Sequence, residues 1–103
     1  MSVLLEFTIF PTDQQESLSQ YVGEVVNMIR ESGFDYQLTS MGTIVETKTM
    51  AEATRLLEES MRLMQRHSKR VHCAAKFDYR AEKFNRLRGK IESIEQRIGE
   101  VNS

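Results

Sequence analysis

YQLTSMGTIVET, residues 36–47, is the stretch that decides how this chain of 103 residues folds. Its two halves, 36–40 and 43–47, are rich in aromatic and β-branched residues, and Met41-Gly42 lies between them, so the segment reads as a β-hairpin. The hairpin carries an amide and an acid, Gln37 and Glu46, on strands that should build a core. Strand alternation sends neighbouring side chains to opposite faces, so the polar set can be kept apart from the apolar one.

Upstream of the hairpin, Leu18, Tyr21, Val22, Val25 and Ile29 recur at helical spacing behind a capping-box pattern, Ser17-x-x-Gln20, and the stripe stops at Gly33. Further upstream, residues 3–10 are β-branched and aromatic and end at Pro11, which predicts a first strand. Downstream, Thr49-x-x-Glu52 opens a second helix carrying Met50, Ala53, Leu56, Leu57, Ser60, Met61 and Met64, and 70–79 reads as a fourth strand. The order β-α-β-β-α-β predicts a ferredoxin-like α+β sandwich. An antiparallel four-stranded sheet, ordered fourth-first-third-second, would have both helices on one face.

Alternation then sorts the sheet. Val3, Leu5, Phe7, Ile9, Leu38, Val71, Cys73, Ala75 and Phe77 are expected under the helices. Burying Glu46 there would cost several kcal/mol unless it were paired, roughly the penalty of an unsatisfied charge, so it belongs on the open face. That face is expected to carry Glu6, Thr8, Phe10, Gln37, Thr39, Ile44, Glu46, His72, Lys76 and Asp78. Covered by a partner subunit, it would form a pocket suited to a small polar aromatic ligand.

Beyond the sandwich, Phe84, Leu87, Ile91, Ile94, Ile98 and Val101 recur at steps of three and four. This heptad seam, over 84–101, is too short to stand alone in water, so the helix must pack on its own domain or on a partner. A narrow seam is typical of helix pairing and favours a homo-oligomer.

Composition excludes several classes. Hydrophobic content of 40% and charge of 28% suit one globular domain spanning 1–103, and a net charge of −1 gives no pull toward nucleic acid or an anionic membrane. The opening MSVLLEFTIF has no basic n-region and contains Glu6, which argues against a signal peptide, and no run approaches transmembrane length. A single cysteine, Cys73, points to a reducing, cytoplasmic setting. His67, His72 and Cys73 offer no metal-ligand spacing, and neither a phosphate loop nor a nucleophile with its base is present, so neither a cofactor nor an enzyme is expected.

YVGEVVNMIRESGFDYQLTSMGTIVET, RVHCAAKFDYR and KIESIE together resemble the small thiamine-binding proteins of ferredoxin-like fold, long catalogued as an uncharacterised protein family. The similarity covers nearly the whole chain. It implies a non-catalytic binder of thiamine or its hydroxymethylpyrimidine part, assembled as a homotetramer, a dimer of dimers. Thr8-Ile9-Phe10-Pro11 stands at the family's S-x-x-P motif with a hydroxyl kept at its first position, but an acidic turn follows it, and Ser40 stands where the family commonly has proline. On this resemblance Glu46 would take a charge-assisted bond from the pyrimidine amino group, and Gln37 and Thr39 would each give and accept. Phe10, Tyr36 or Met41 would lie against the ring, and Glu6 or Asp78 would face the thiazolium.

Blander roles compete for the same residues. Glu46 would pair with Lys76 or Lys48 on a solvated face, Glu6 with Lys76 across adjacent strands, and Gln37 and Thr39 would simply face solvent. The alternative function is a structural or regulatory oligomeric module without a small-molecule ligand. A hydrolase or transferase acting on a thiamine precursor is the third class.

Overall fold

A computed structural model of the chain describes residues 1–13 and 18–103. The elements run β1 (Ser2–Pro11), α1 (Ser19–Ser32), β2 (Asp35–Thr39), β3 (Gly42–Thr47), α2 (Met50–Gln65), β4 (Val71–Arg80) and α3 (Arg86–Ile98). The sheet is four-stranded and antiparallel in the order β2-β3-β1-β4, so the chain is a ferredoxin-like α+β domain with an added C-terminal helix.

The register explains the two faces. Leu5 stands opposite Val45 and Phe77, and Phe7 opposite Thr43 and Ala75, so these residues share one face. That face takes α1 and α2. Val3, Leu5, Phe7, Ile9 and Val45 pack there with Tyr21, Val25 and Ile29 of α1 and Ala53, Leu56 and Met64 of α2. Burial of such side chains, each worth about 1.5–3 kcal/mol, holds the sandwich together. Gln37 opposite Ile44, itself opposite Glu6, marks the other face.

Local signals set the helix ends. Thr49 Oγ1 accepts from the Glu52 N–H at 3.1 Å and Glu52 Oε1 accepts from the Thr49 N–H at 3.1 Å, the reciprocal pair that opens α2. Gly33 ends α1 in the left-handed region at φ 83°, which glycine takes without a Cβ penalty. Ser17 of the expected first capping box lies outside the described residues. Leu18 occupies the cap position of α1 and makes no side-chain cap bond.

The hairpin turn falls one residue earlier than its composition suggests, at Ser40-Met41, with Gly42 already in β3. Thr39 Oγ1 donates to the Gly42 carbonyl at 2.9 Å and accepts from the Met41 N–H at 3.2 Å, closing the loop. A Cβ on Gly42 would stand 3.0 Å from the Phe7 carbonyl oxygen and 3.0 Å from Thr8 Cγ2. Only a residue without a side chain lets β3 approach β1 so closely there.

α3 occupies part of the face expected to be open. Leu87 is buried against the sheet and Ile91 half-buried, whereas Ile98 is 73% exposed. Leu87 and Ile91 of the seam therefore pack on their own domain, whereas Phe84, Ile94 and Ile98 do not.

Candidate functional site

Between the end of β1, the first turns of α1 and the hairpin turn lies a cavity of about 220 Å³. Phe7, Ile9 and Thr43 from the sheet and Val22 and Val25 from α1 wall it on the helix-covered side. Leu18, Leu38 and Met41 ring its mouth with exposed apolar surface, Met41 being 82% exposed. Among the described residues no charged side chain lines it. Its volume is below the roughly 300–1,000 Å³ typical of drug-sized clefts, so it suits a single ring with small substituents. Thr8, Thr39, Ser40 and Thr43 are the hydroxyl-bearing residues of its lining.

Four of the seven candidate ligand residues, Thr8, Phe10, Thr39 and Met41, meet around this cavity. They do so at the end of the sheet beside α1, not across the open face. Thr39 arrives with its hydroxyl already engaged in the turn, and Phe10 packs on His72 with ring centroids 5.3 Å apart.

The other three lie elsewhere. Glu6 forms an ion pair with Lys76 at 2.9 Å on a solvated part of the sheet. Gln37 lies beside α3, in a small pocket shared with Leu87, Arg88 and Ile91. Glu46 is on the open face, as alternation requires, but its partners are neither Lys76 nor Lys48. Its carboxylate accepts from the Arg86 N–H at 3.0 Å and the Leu87 N–H at 3.1 Å, capping α3. A helix's first N–H groups have no intrahelical partner, and Asn85 in the cap position gives no side-chain bond, so a carboxylate from 40 residues away fills the role. Burial pushes the Glu46 carboxyl up. The two N–H groups, the Ser2 hydroxyl and the Arg86 charge outweigh this and hold it below its ordinary value of 4.5.

Arg86 completes the anchor. Its guanidinium, 8% exposed, donates to the Ser2 carbonyl at 3.1 Å and the Asp78 carbonyl at 2.9 Å, and pairs with the Asp78 carboxylate. Asp78 therefore faces a cation of its own chain.

Sequence reasoning placed Leu18, Val22 and Thr43 in the scaffold. They line the cavity as well, and the signal available was the width of the α1 stripe, in which Val22 departs from the buried row Tyr21, Val25 and Ile29. His67 sits 2.8 Å from Glu24 and against Tyr21, and among the described residues no three or more metal-ligating side chains converge. Burial raises the Cys73 thiol, which keeps it protonated and a poor nucleophile. No helix among the described residues is long and apolar enough to cross a membrane.

Comparison with known proteins adds the following. A family model described as thiamine-binding protein matches residues 5–95. A UPF0045 protein of Methanothermobacter thermautotrophicus is 30% identical over 100 residues, covering 93% of this chain and 99% of that protein. One from Mycobacterium bovis is 27% identical over 96 residues, covering 93% and 94%. Among solved structures, a hypothetical protein of Methanocaldococcus jannascii superposes with a TM-score of 0.80 at 24% identity, over 92% of this chain and 97% of that one. A Thermotoga maritima protein provisionally assigned to thiamine biosynthesis or salvage superposes with a TM-score of 0.78 at 19% identity, over 91% and 99%.

Proposed function

This chain belongs to the thiamine-binding protein family, and on that footing we propose that it binds the aminopyrimidine ring of thiamine, or free hydroxymethylpyrimidine, in the cavity between β1, α1 and the hairpin turn. The observation that carries the reading is a ring-sized, mainly apolar cavity, uncharged among the described residues, at which Thr8, Phe10, Thr39 and Met41 converge. The Thr8 hydroxyl reads the ring edge, Phe10 and Met41 close on its face, and Thr39 holds the turn that forms the mouth. The cationic thiazolium stays at the mouth, because among the described residues no carboxylate lines the interior to neutralise it. Glu46 serves as the anchor of α3, and Gln37 and Glu6 take no part in this cavity. The activity is non-catalytic, serving sequestration, delivery or sensing.

Titration calorimetry separates the two halves of the ligand. Thiamine and hydroxymethylpyrimidine should both give saturable heat, and hydroxyethylthiazole none at about millimolar concentration. Silence from both pyrimidine compounds would overturn the reading.

The assembly belongs to the same proposal: a homo-oligomer, a tetramer by family resemblance, with Ile98 at the C-terminal end of α3 in an interface. Two features support it. β4 leaves one edge of the sheet unpaired over its ten residues, with Phe77 and Tyr79 exposed at 41% and 53%, and Ile98 lies uncovered on α3. A long unpaired edge next to apolar side chains invites a second copy. Sedimentation equilibrium of a Tyr79→Glu, Ile98→Glu chain should show a smaller species than the parent. An unchanged mass would remove these surfaces from the interface.

A further inference from the structure

We infer that the groove between the end of β4 and the first turns of α3 binds an organic phosphate, its phosphoryl group held by Arg80, Lys83 and Lys90 and its ring laid against Phe84. The groove holds about 650 Å³, within the roughly 300–1,000 Å³ of small-molecule clefts. It stands apart from the cavity described above: Leu4 borders it near the start of β1, whereas Thr8 and Phe10 border the other near the end of that strand. The inference therefore does not rest on the pyrimidine reading.

Charge carries the argument. The whole chain has a net charge of −1, yet four cations line this groove against one carboxylate, Asp78. Asp78 is taken by Arg86. Among the described residues, Arg80, Lys83 and Lys90 have no ion-pair partner. Three unmatched cations around one concavity concentrate positive potential where an anion gains most from it. The helix terminus itself is not the attractor, because Glu46 already accepts from its first two N–H groups.

Shape and directional groups narrow the ligand. Asn85 sits in the left-handed region at φ 53° with its side chain uncommitted to capping, leaving its amide to donate. Ser93 lies three residues from Lys90 on α3, so its hydroxyl shares that helix face. Phe84, 68% exposed, gives the groove an aromatic wall next to the cations. A bare inorganic ion would leave that wall unused, whereas a phosphate monoester of an aromatic or heterocyclic compound covers both.

The test is an amide chemical-shift titration of the full chain with inorganic phosphate and with phenyl phosphate in about 0.15 M sodium chloride, where weak surface pairing is screened. Both probes should saturate, with shifts centred on Arg80, Lys83, Asn85, Gly89 and Lys90, and phenyl phosphate should bind several-fold more tightly. A Lys83→Gln, Lys90→Gln chain should bind both about tenfold more weakly. Phe84→Ala should remove only the advantage of phenyl phosphate. All three side chains are exposed, so the variants should unfold at the parent's temperature. Shifts scattered over cations elsewhere, such as Arg62 and Lys69, or unchanged affinity in the double variant, would overturn the site. Equal affinity for the two probes would overturn the ring contact. Tighter binding of a single-stranded oligonucleotide, with shifts along the whole of α3, would replace the small-molecule ligand with a polyanion.

Discussion

An Arg86→Ala chain should lose about 2–4 kcal/mol of stability and release α3 from the sheet. The ion pair with Asp78 is the smaller part of this, because the Asp78 side chain is 68% exposed and water screens it. The larger part comes from the Ser2 and Asp78 carbonyls, which lose the donor that reaches them from a guanidinium almost closed to solvent. Hydrogen exchange should show the amides of α3 opening well before those of β1, and equal protection in parent and variant would sink the claim.

Acid should act on the same anchor from the other side. The Glu46 carboxyl is held below 4.5 in the fold, so it adds stability in full above that pH and gives it up as pH falls through the lowered value. Urea unfolding between about pH 7 and pH 3 should therefore weaken the parent more than a Glu46→Gln chain, which has no such group to protonate. Parallel pH profiles would mean that the carboxylate does not stabilise α3 through its charge.

A Val22→Phe chain should bind thiamine at least about tenfold more weakly while remaining folded. Val22 is half-buried on α1 and borders the cavity without belonging to the densest part of the core. A larger ring there fills the space proposed for the pyrimidine. Because the space is empty rather than packed, the overpacking cost should stay below about 1 kcal/mol. Calorimetry reads the first effect and thermal unfolding the second. Undiminished binding in a folded variant would move the ligand out of this cavity.

What could be read from the sequence divides by distance along the chain. The Thr49–Glu52 box, the Gly33 stop and the alternation in β1 are local, and each appears in the fold where its residues predict it. Strand order followed from the order of the elements, and the side of Glu46 from alternation, because burying a bare carboxylate under two apolar helices is costly. The partner of Glu46 was not legible, since capping motifs are recognised within a few residues and here the helix lies 40 residues downstream. The cavity beside α1 was not legible for a related reason. Thr8, Phe10 and Thr39 were assigned to the open face by side-chain parity. Where strands end and a turn folds over, residues of both parities border the same space. That Leu87 and Ile91 of the C-terminal seam dock while Phe84, Ile94 and Ile98 stay exposed also escaped periodicity, which gives the stripe but not the extent of the surface that receives it.

The anchor of α3 draws on three strands at once: Glu46 from β3, Ser2 from β1 and Asp78 from β4. None of these groups can hold the helix until β1 has aligned with both neighbours, and the Arg86–Ser2 contact closes a span of 84 residues. Loop closure of that length comes late and slowly relative to local pairing. α3 should then be the last element to join during refolding, its capture reporting that the sheet is complete. Substitutions at Arg86 or Glu46 would accordingly speed unfolding and leave the folding rate nearly unchanged.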